Sequence, residues 1–226
     1  MQVEGNDLSD HLLEAVLFHV PNYGWSLRTL ELGALNLGVE SDVIWDIFPG
    51  GVEEVIKCFY LRNNRKLHCA LKDDILIDLR TDERITLALN TLFKIFSSHR
   101  EAMRRTISWL LLPQNSLIGA RMLYQTVDNI WYAVGDQSID FSFYTRRSTL
   151  AIIVMSTMLY WLDDNSAGAE RTSDFIKRRV NDVKTFTSIR KRKEKICRYT
   201  GSAIGVFGRA AFERYGAVVV ENRRVT

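Results

Sequence analysis

Residues 24–55 read GWSLRTLELGALNLGVESDVIWDIFPGGVEEV, in which helical periodicity is interrupted by strong turn signals. Ser26 is a suitable N-cap for a helix over about Leu27–Asn36, because a serine side chain accepts hydrogen bonds from the first-turn N–H groups. Leu37-Gly38-Val39 predicts a tight turn, and a short helix follows over about Ser41–Ile47. Pro49-Gly50-Gly51 then separates this helix from the next one. The stretch therefore predicts a helix-turn-helix.

The rest of the chain also predicts helices and contains no convincing strand pattern. The first helix is expected over about Leu8–Val20, with Pro21 as its stop, because proline disrupts a helix interior. About nine helices are predicted in all, which makes an all-α bundle. The later ones are expected over Val52–Leu71, Asp82–Ser97 with Asp82 as cap, His99–Leu112, Asn115–Val134 with Asn115 as cap, Ser142–Asp163 and Ala169–Lys193.

The helix predicted over Ser142–Asp163 is apolar on nearly every side, which predicts burial all round and is often a sign of a subunit interface. Its longest nearly uncharged run, Leu150–Leu162, has about 13 residues, whereas about 20 are needed to span a bilayer. A buried helix is therefore expected rather than a membrane span. The three cysteines form no closely spaced pair, which favours a reducing compartment.

Charge is distributed unevenly along the chain. Residues 1–56 carry ten acids and one base, a net charge of −9, whereas residues 171–226 carry fifteen bases and five acids, a net charge of +10. Met1–Asp10 lacks basic residues, so it fits neither a secretory signal nor a transit peptide. We therefore expect a protein of the bacterial cytoplasm, peripheral on the inner membrane, or of the mitochondrial matrix side if the source is eukaryotic.

Residues 24–55 resemble the DNA-binding unit of TetR-type repressors. The shared positions are small, apolar or acidic residues of the helix-turn-helix: Gly24, Thr29, Ala34, Leu37, Gly38, Val39, Ser41, Trp45, Phe48, Glu53 and Glu54. DNA binding requires cations for phosphates and Arg, Lys, Asn or Gln side chains for base edges. The expected recognition helix instead contains Asp42 and Asp46 with no base or amide. A TetR-like fold that does not bind DNA is the favoured interpretation, and a DNA-binding TetR-type transcriptional regulator is the alternative.

The sequence lacks the motifs of common enzyme classes. It contains no His-Glu-x-x-His, Glu-x-x-His, Walker loop, Gly-x-Ser-x-Gly or Cys-x-x-Cys. His68-Cys69 is isolated and is expected to be structural. We therefore predict no catalytic residue, no metal site and no cofactor.

Residues 135–147, GDQSIDFSFYTRR, closely resemble a motif of the Coq-nine family of ubiquinone (coenzyme Q) biosynthesis proteins. Further matching segments are His19-Val20-Pro21, Gly24-Trp25, Asp128–Tyr132, Tyr160–Asp164 and Arg178–Asp182. The resemblance implies a TetR-like homodimer that binds isoprenoid lipid in an apolar pocket. It also implies presentation of that lipid to the demethoxyubiquinone hydroxylase. Caps and salt bridges are the alternative explanation for the motif's polar residues.

The predicted site residues follow from the helix stripes and from this resemblance. The inward stripes of the seventh and eighth predicted helices suggest lipid contacts at Tyr124, Val127, Trp131, Met155 and Leu159. Aromatic side chains such as Phe143 and Tyr144 at a helix start beside arginine are favoured interface anchors. The resemblance implies that these two residues and Ile130 lie on the hydroxylase-binding patch. The partner-binding set is completed by Asp128 and Asp140.

The C-terminal residues predict a basic amphipathic segment. Ile204, Phe207, Ala211 and Phe212 share one side of a helical wheel, and arginines lie opposite or beside them. Such segments bind anionic membrane surfaces, although a docking helix or a disordered tail remains an alternative. We therefore expect a head over 1–56, a lipid-binding and dimerisation body over 57–195 and a membrane-associating tail over 196–226. A general membrane scaffold without a hydroxylase partner is a third hypothesis.

Overall fold

The computed structural model describes residues 2–71, 79–135 and 141–183, with side chains over 8–71, 79–135 and 145–183. Within these ranges the chain forms helices and turns and no β-strand, so the predicted all-α fold is confirmed. The chain divides into two compact units, Met1–Val180 and Asn181–Thr226, and all contacts given below lie in the first. The described helices are α1 Gln2–Tyr23, α2 Leu27–Asn36, α3 Asp42–Ile47, α4 Val52–Ala70, α5 Thr81–Phe96, α6 Arg100–Leu110, α7 Ser116–Ala133, α8 Phe141–Asp163 and a helical stretch over 170–183.

The end of α1 differs from the prediction that Pro21 stops the helix. Pro21 lies inside the last turn, and α1 continues to Tyr23. A proline this close to a helix end removes one backbone N–H, and the remaining turn still closes through a 2.8 Å hydrogen bond from Gly24 N to Val20 O. Gly24 has a φ of +66°, a conformation that glycine adopts readily, and it ends the helix.

The helix-turn-helix depends on a close crossing of α1 and α2 at Gly33. A Cβ atom at Gly33 would lie 2.6 Å from Val16 Cγ2 and 3.0 Å from the Val16 backbone nitrogen. Only glycine therefore permits this helix separation. The predicted N-cap is confirmed, because Ser26 Oγ accepts from Thr29 N at 3.3 Å.

Of the two other predicted caps, Asp82 is wrong, and Asn115 occupies the N-cap position without forming the capping hydrogen bond. Asp82 lies inside the first turn of α5 rather than before it, and Arg80 occupies the N-cap position. There the Glu83 side chain reaches back and accepts from Arg80 N at 2.9 Å. Asn115 does precede α7, but its side chain caps no N–H and instead donates to Trp109 O at 2.9 Å. Tertiary contacts at the preceding turn therefore override the local capping preference of asparagine.

The core is built around the inward face of α8. Trp161 of α8 packs against Phe93 and Phe96 of α5, with ring centroids 5.7 and 6.4 Å apart. However, Ile152 and Leu159 of the same helix are 70% and 58% exposed. The prediction of burial all round is therefore wrong for the single chain, because α8 packs on neighbours along only part of its circumference.

The C-terminal end of α8 is held by two arginines of α6. Arg100 Nη2 donates to Trp161 O at 2.6 Å and to Asp164 O at 2.5 Å. Arg104 Nη2 donates to Leu162 O. The last carbonyl groups of a helix have no partner within the helix, so these arginines satisfy acceptors that would otherwise be stranded near the core.

The carboxylate of Asp164 organises the turn that follows α8. It accepts from Ser166 N and Oγ at 2.9 and 2.7 Å, and from Thr172 N and Oγ1 at 2.9 and 2.6 Å. Burial alone raises the pKa of Asp164, but these hydrogen bonds from Thr172 and Ser166 lower it well below the usual range of an aspartate. The charged form of Asp164 therefore stabilises the folded state.

Replacing Asp164 by Asn should lower the free energy of unfolding by about 2 kcal/mol at neutral pH, because charge-assisted hydrogen bonds to a buried group are lost. Since the folded-state pKa is depressed, this contribution is complete above about pH 4 and decreases as the pH falls below it. Urea titrations at neutral and acidic pH would measure the difference. If the difference in the free energy of unfolding between the wild type and Asp164→Asn did not become smaller at acidic pH, the stabilising role of the Asp164 carboxylate would be contradicted.

Candidate lipid-binding and partner-binding site

Helices α7 and α8 pack together and carry most of the predicted site residues. Arg147 of α8 donates from Nε to Asp128 Oδ1 of α7 at 2.8 Å. Arg147 is buried, whereas the Asp128 side chain is almost half exposed. The pair therefore links the two helices beneath the surface and leaves one face of the carboxylate accessible.

The predicted lipid-binding residues separate into two groups. Val127 and Trp131 are buried in the interior, and Met155 is partly buried. Tyr124 and Leu159 are exposed, so the structure does not bring them into the interior with the others. The buried face of α7 is centred on Thr126 and Ile130 rather than on Tyr124.

A polar cluster inside the body was missed by the sequence interpretation. Tyr60 of α4 donates to Met122 O at 2.6 Å and contacts Thr126 Oγ1, which in turn donates to Asn64 Oδ1 at 3.3 Å. Burial raises the pKa of the Tyr60 hydroxyl, so this group stays protonated. The signal in the sequence was the spacing of Tyr60 and Asn64, which puts two polar side chains on one buried face of a helix.

Some buried polar atoms have no hydrogen-bond partner within the described part of the chain. They include Trp131 Nε1, Asn64 Nδ2 and Thr157 Oγ1. An unpaired buried donor is costly, so an acceptor supplied by a bound molecule would stabilise it. Trp131 is the one among them that the sequence also selected as a ligand contact.

The structure changes the predicted partner-binding patch. Ile130 is fully buried at 0% exposure, so its side chain cannot belong to the surface, and that prediction is wrong for this conformation. Asp128 is accessible, and Tyr132, one turn further along α7, is strongly exposed. Asp140 lies outside the described residues. Phe143 and Tyr144 fall in the first turn of α8, but their side chains are outside the described part.

The predicted membrane-binding residues also lie beyond what the structure describes. Ile204, Phe207, Ala211 and Phe212 all follow residue 183. In the described residues, no helix is long and apolar enough to cross a bilayer. No cluster of His, Cys, Asp and Glu suited to a metal ion occurs in the same ranges.

The head exposes acids where a recognition helix would meet DNA. Ile44 of α3 is buried, whereas Asp42, Trp45 and Asp46 face solvent. Two exposed carboxylates would repel phosphate at close range. The geometry of the head therefore retains the fold of a DNA-binding unit without its charge.

The family model described as COQ9 matches residues 118–187, which include most of α7 and all of α8. "Ubiquinone biosynthesis protein COQ9-B, mitochondrial" of Xenopus laevis is 31% identical over 212 residues, covering 90% of this chain and 71% of that protein. The chain belongs to the COQ9 family. The resemblance seen in residues 135–147 is thereby confirmed.

Other COQ9 proteins are similar over a smaller share of their length. The "Ubiquinone biosynthesis protein COQ9, mitochondrial" of Rattus norvegicus is 33% identical over 183 residues, or 78% of this chain, and that of Homo sapiens is also 33% identical. The chain spans 58% of the rat protein and 57% of the human protein in these matches. All three relatives are mitochondrial by name.

A solved structure supports the fold. The crystal structure of a TetR transcriptional regulator from Nitrosomonas europaea has a TM-score of 0.65 to this chain, with 20% sequence identity. The likeness covers 77% of this chain and 97% of that one. The predicted TetR-like architecture is therefore confirmed, while an identity this low concerns the fold alone.

Replacing Asp128 by Ala should lower the free energy of unfolding by about 2 kcal/mol, because buried Arg147 loses a carboxylate acceptor. Tyr132→Ala is the matched surface control and should change stability by about 0.5 kcal/mol or less. Urea denaturation followed by circular dichroism measures both. If Asp128→Ala had the same free energy of unfolding as the wild type, the ion pair would contribute nothing to stability. Asp128 would then act only as a surface residue.

Proposed function

We propose that this COQ9-family chain is a non-enzymatic, lipid-binding accessory protein of ubiquinone biosynthesis. It takes isoprenoid quinone intermediates from a membrane and presents them to the demethoxyubiquinone hydroxylase. Membership of the family is the observation that carries this proposal, because the named relatives are ubiquinone biosynthesis proteins. The sequence contains no recognisable catalytic motif, so we assign the hydroxylation chemistry to the partner enzyme.

The ligand in this proposal is an isoprenoid chain with a quinone head group. Val127 and Trp131 supply a buried apolar surface between α7 and its neighbours, and Met155 extends it from α8. A quinone head group carries carbonyl and ether oxygens, which accept hydrogen bonds but donate none in the oxidised form. The unpaired Trp131 Nε1 donor matches that chemistry.

A homodimer is the proposed assembly. Ile152 and Leu159 lie about two helical turns apart and form an exposed apolar stripe along α8. Exposed apolar stripes of this kind mark interaction surfaces. A second copy of the chain that packs on the stripe would bury it, and exposed Leu159 is therefore better placed for a dimer contact than for the pocket.

Residues 196–226 are proposed as the membrane-associating tail, residues 57–195 as the body and residues 1–56 as a head that does not bind DNA. The basic amphipathic pattern of the tail supports peripheral association with an anionic surface. The proposed location is the cytoplasmic side of a bacterial inner membrane, or the matrix side of the mitochondrial one in a eukaryote; the relatives are mitochondrial by name.

Replacing Trp131 by Phe should lower the share of quinone lipid that copurifies with the protein by roughly twofold to tenfold, because one hydrogen bond is removed and the ring is kept. Mass spectrometry of lipid extracted from the full chain measures this share against phospholipid. Trp45→Phe, on the exposed face of the head, is the matched control and should leave the share unchanged.

Two results would contradict these proposals separately. An unchanged quinone share in Trp131→Phe would remove Trp131 from the binding site. No isoprenoid lipid in the extract of the wild type would overturn the lipid-presenting function itself.

Replacing Phe143 and Tyr144 together by Ala should weaken binding to the purified hydroxylase by tenfold or more, because truncated aromatic anchors typically cost over 1 kcal/mol each. Titration calorimetry measures the affinity, and circular dichroism checks that the fold is kept. Tyr23→Ala, an exposed aromatic of the head, is the control. Unchanged hydroxylase affinity of the double variant would remove this pair from the partner surface.

A further inference from the structure

Four exposed leucines lie around the turn that joins α6 to α7. Leu111, Leu112 and Leu117 are 64%, 43% and 62% exposed, and Leu61 on the adjoining face of α4 is 50% exposed. We call these four residues the leucine corner. Turns between helices usually present polar residues to water, so a group of large apolar side chains there marks an interaction surface.

The backbone beneath the leucine corner is firmly held. Asn115 Nδ2 donates to Trp109 O across the turn at 2.9 Å, and Leu112 O accepts from Asn115 N at 2.9 Å. A Cβ atom at Gly119 would approach Leu110 Cβ to 3.2 Å, so α6 and α7 lie close together here. The turn therefore holds the leucines in place before binding, so that little conformational entropy of the backbone is lost when they bind a partner.

The chain segments that form this corner are free of acids. Residues 55–71 contain four Lys or Arg and residues 102–127 contain three, and neither segment contains Asp or Glu. Arg65 follows Leu61 by one helical turn, and Arg121 follows Leu117 by one turn. Both arginines are exposed and form no ion pair within the described residues. The surface is thus apolar at the turn and cationic one helical turn away from it, along α4 and α7.

The nearest acids are already engaged. Glu53 forms an ion pair with Lys57 one turn along α4. Glu54 accepts from Gly50 N at 2.6 Å, at the beginning of the same helix. Because Glu53 pairs with Lys57, Arg65 and Arg121 supply the net positive charge of this surface.

A shallow groove of about 180 Å³ runs between α4 and α7 beside the corner. Leu61, Ile118 and Met122 provide apolar walls, Arg121 lies on its lining as a cation, and the Lys57–Glu53 ion pair adds no net charge. Apolar walls with a net positive charge match a molecule that has a hydrocarbon part and an anionic head. Phospholipids with a net negative charge have this chemistry.

We infer that the leucine corner binds the surface of an anionic phospholipid bilayer. Leu111, Leu112 and Leu117 insert at the boundary between head groups and acyl chains, and Arg65 and Arg121 bind lipid phosphates. This contact is formed by the helical body and is separate from the proposed tail at 196–226. It does not depend on which lipid occupies the interior of the protein.

The first experiment uses the unmodified full chain and amide hydrogen exchange. Vesicles of phosphatidylcholine containing a quarter phosphatidylglycerol should slow exchange across residues 107–119, whereas pure phosphatidylcholine vesicles should have little effect. Exchange in the head, over residues 27–47, should be unchanged. Unchanged exchange at 107–119 while the protein is bound to the anionic vesicles would overturn the inference, because the tail alone would then account for the binding.

The second experiment compares matched variants by vesicle cosedimentation. Leu111→Ser with Leu112→Ser should weaken binding roughly tenfold, because two leucines no longer leave water, whereas Leu35→Ser, at a leucine that is also exposed but lies on the head, should not. Arg121→Glu should weaken it about fivefold or more, and Lys94→Glu, an exposed cation of α5, should have a smaller effect. Equal binding by all four variants would overturn the inference.

Two further outcomes separate this inference from its alternatives. Protection of residues 107–119 by the hydroxylase and not by vesicles would assign the corner to a protein partner instead, and overturn the membrane contact. A failure of all vesicle binding would also overturn it, while the lipid extracted from the purified protein would still decide the proposed function independently.

Discussion

The arginine cap at the C-terminal end of α8 is the contact on which the geometry of the body depends. Arg100 and Arg104 reach from α6 to the carbonyl groups that end α8, and the carboxylate of Asp164 then begins the next helical stretch. A helix is stiff, so fixing one end sets the direction of the whole rod. Arg147, about 20 Å away along α8, forms the second contact that fixes this helix, its ion pair with Asp128 of α7. The positions of the candidate surfaces on both helices therefore depend on these contacts.

The parts of the structure that could be predicted from sequence are those decided within one or two helical turns. Ser26 capped its helix as expected because the interaction is local. Asp82 did not, because Glu83 satisfied the N-cap N–H of α5 instead, and Pro21 was tolerated where only one hydrogen bond was lost. Which face of α7 is buried depends on the helices that pack around it. The spacing of apolar residues in the sequence does not reveal where those helices lie. Val127 and Trp131 were therefore placed correctly in the interior, while Tyr124 and the surface role of Ile130 were not.

In this chain the backbone architecture of the head resembles a DNA-binding unit, but the surface charge of the head does not. The likeness to a TetR regulator concerns backbone architecture, and the head preserves that architecture with Asp42 and Asp46 where phosphates would lie. The relation to COQ9 proteins rests most clearly on α7 and α8, which the family model covers. The family relation is therefore carried by the body, and the likeness to the regulator concerns the fold alone.

Gly33 adds a consequence for mutational tolerance in the head. The residues that keep α1 and α2 in contact face inward, and at this crossing there is no room for even one methyl group. The residues that would decide what the head recognises face outward, where Arg28 lies over the Tyr23 ring and Asn36 contacts His19. A library that randomised every solvent-facing position of α2 and α3 would thus sample new binding specificities freely, provided that position 33 stayed glycine. Architecture and recognition are encoded on opposite sides of the same short helices, so either can change without the other.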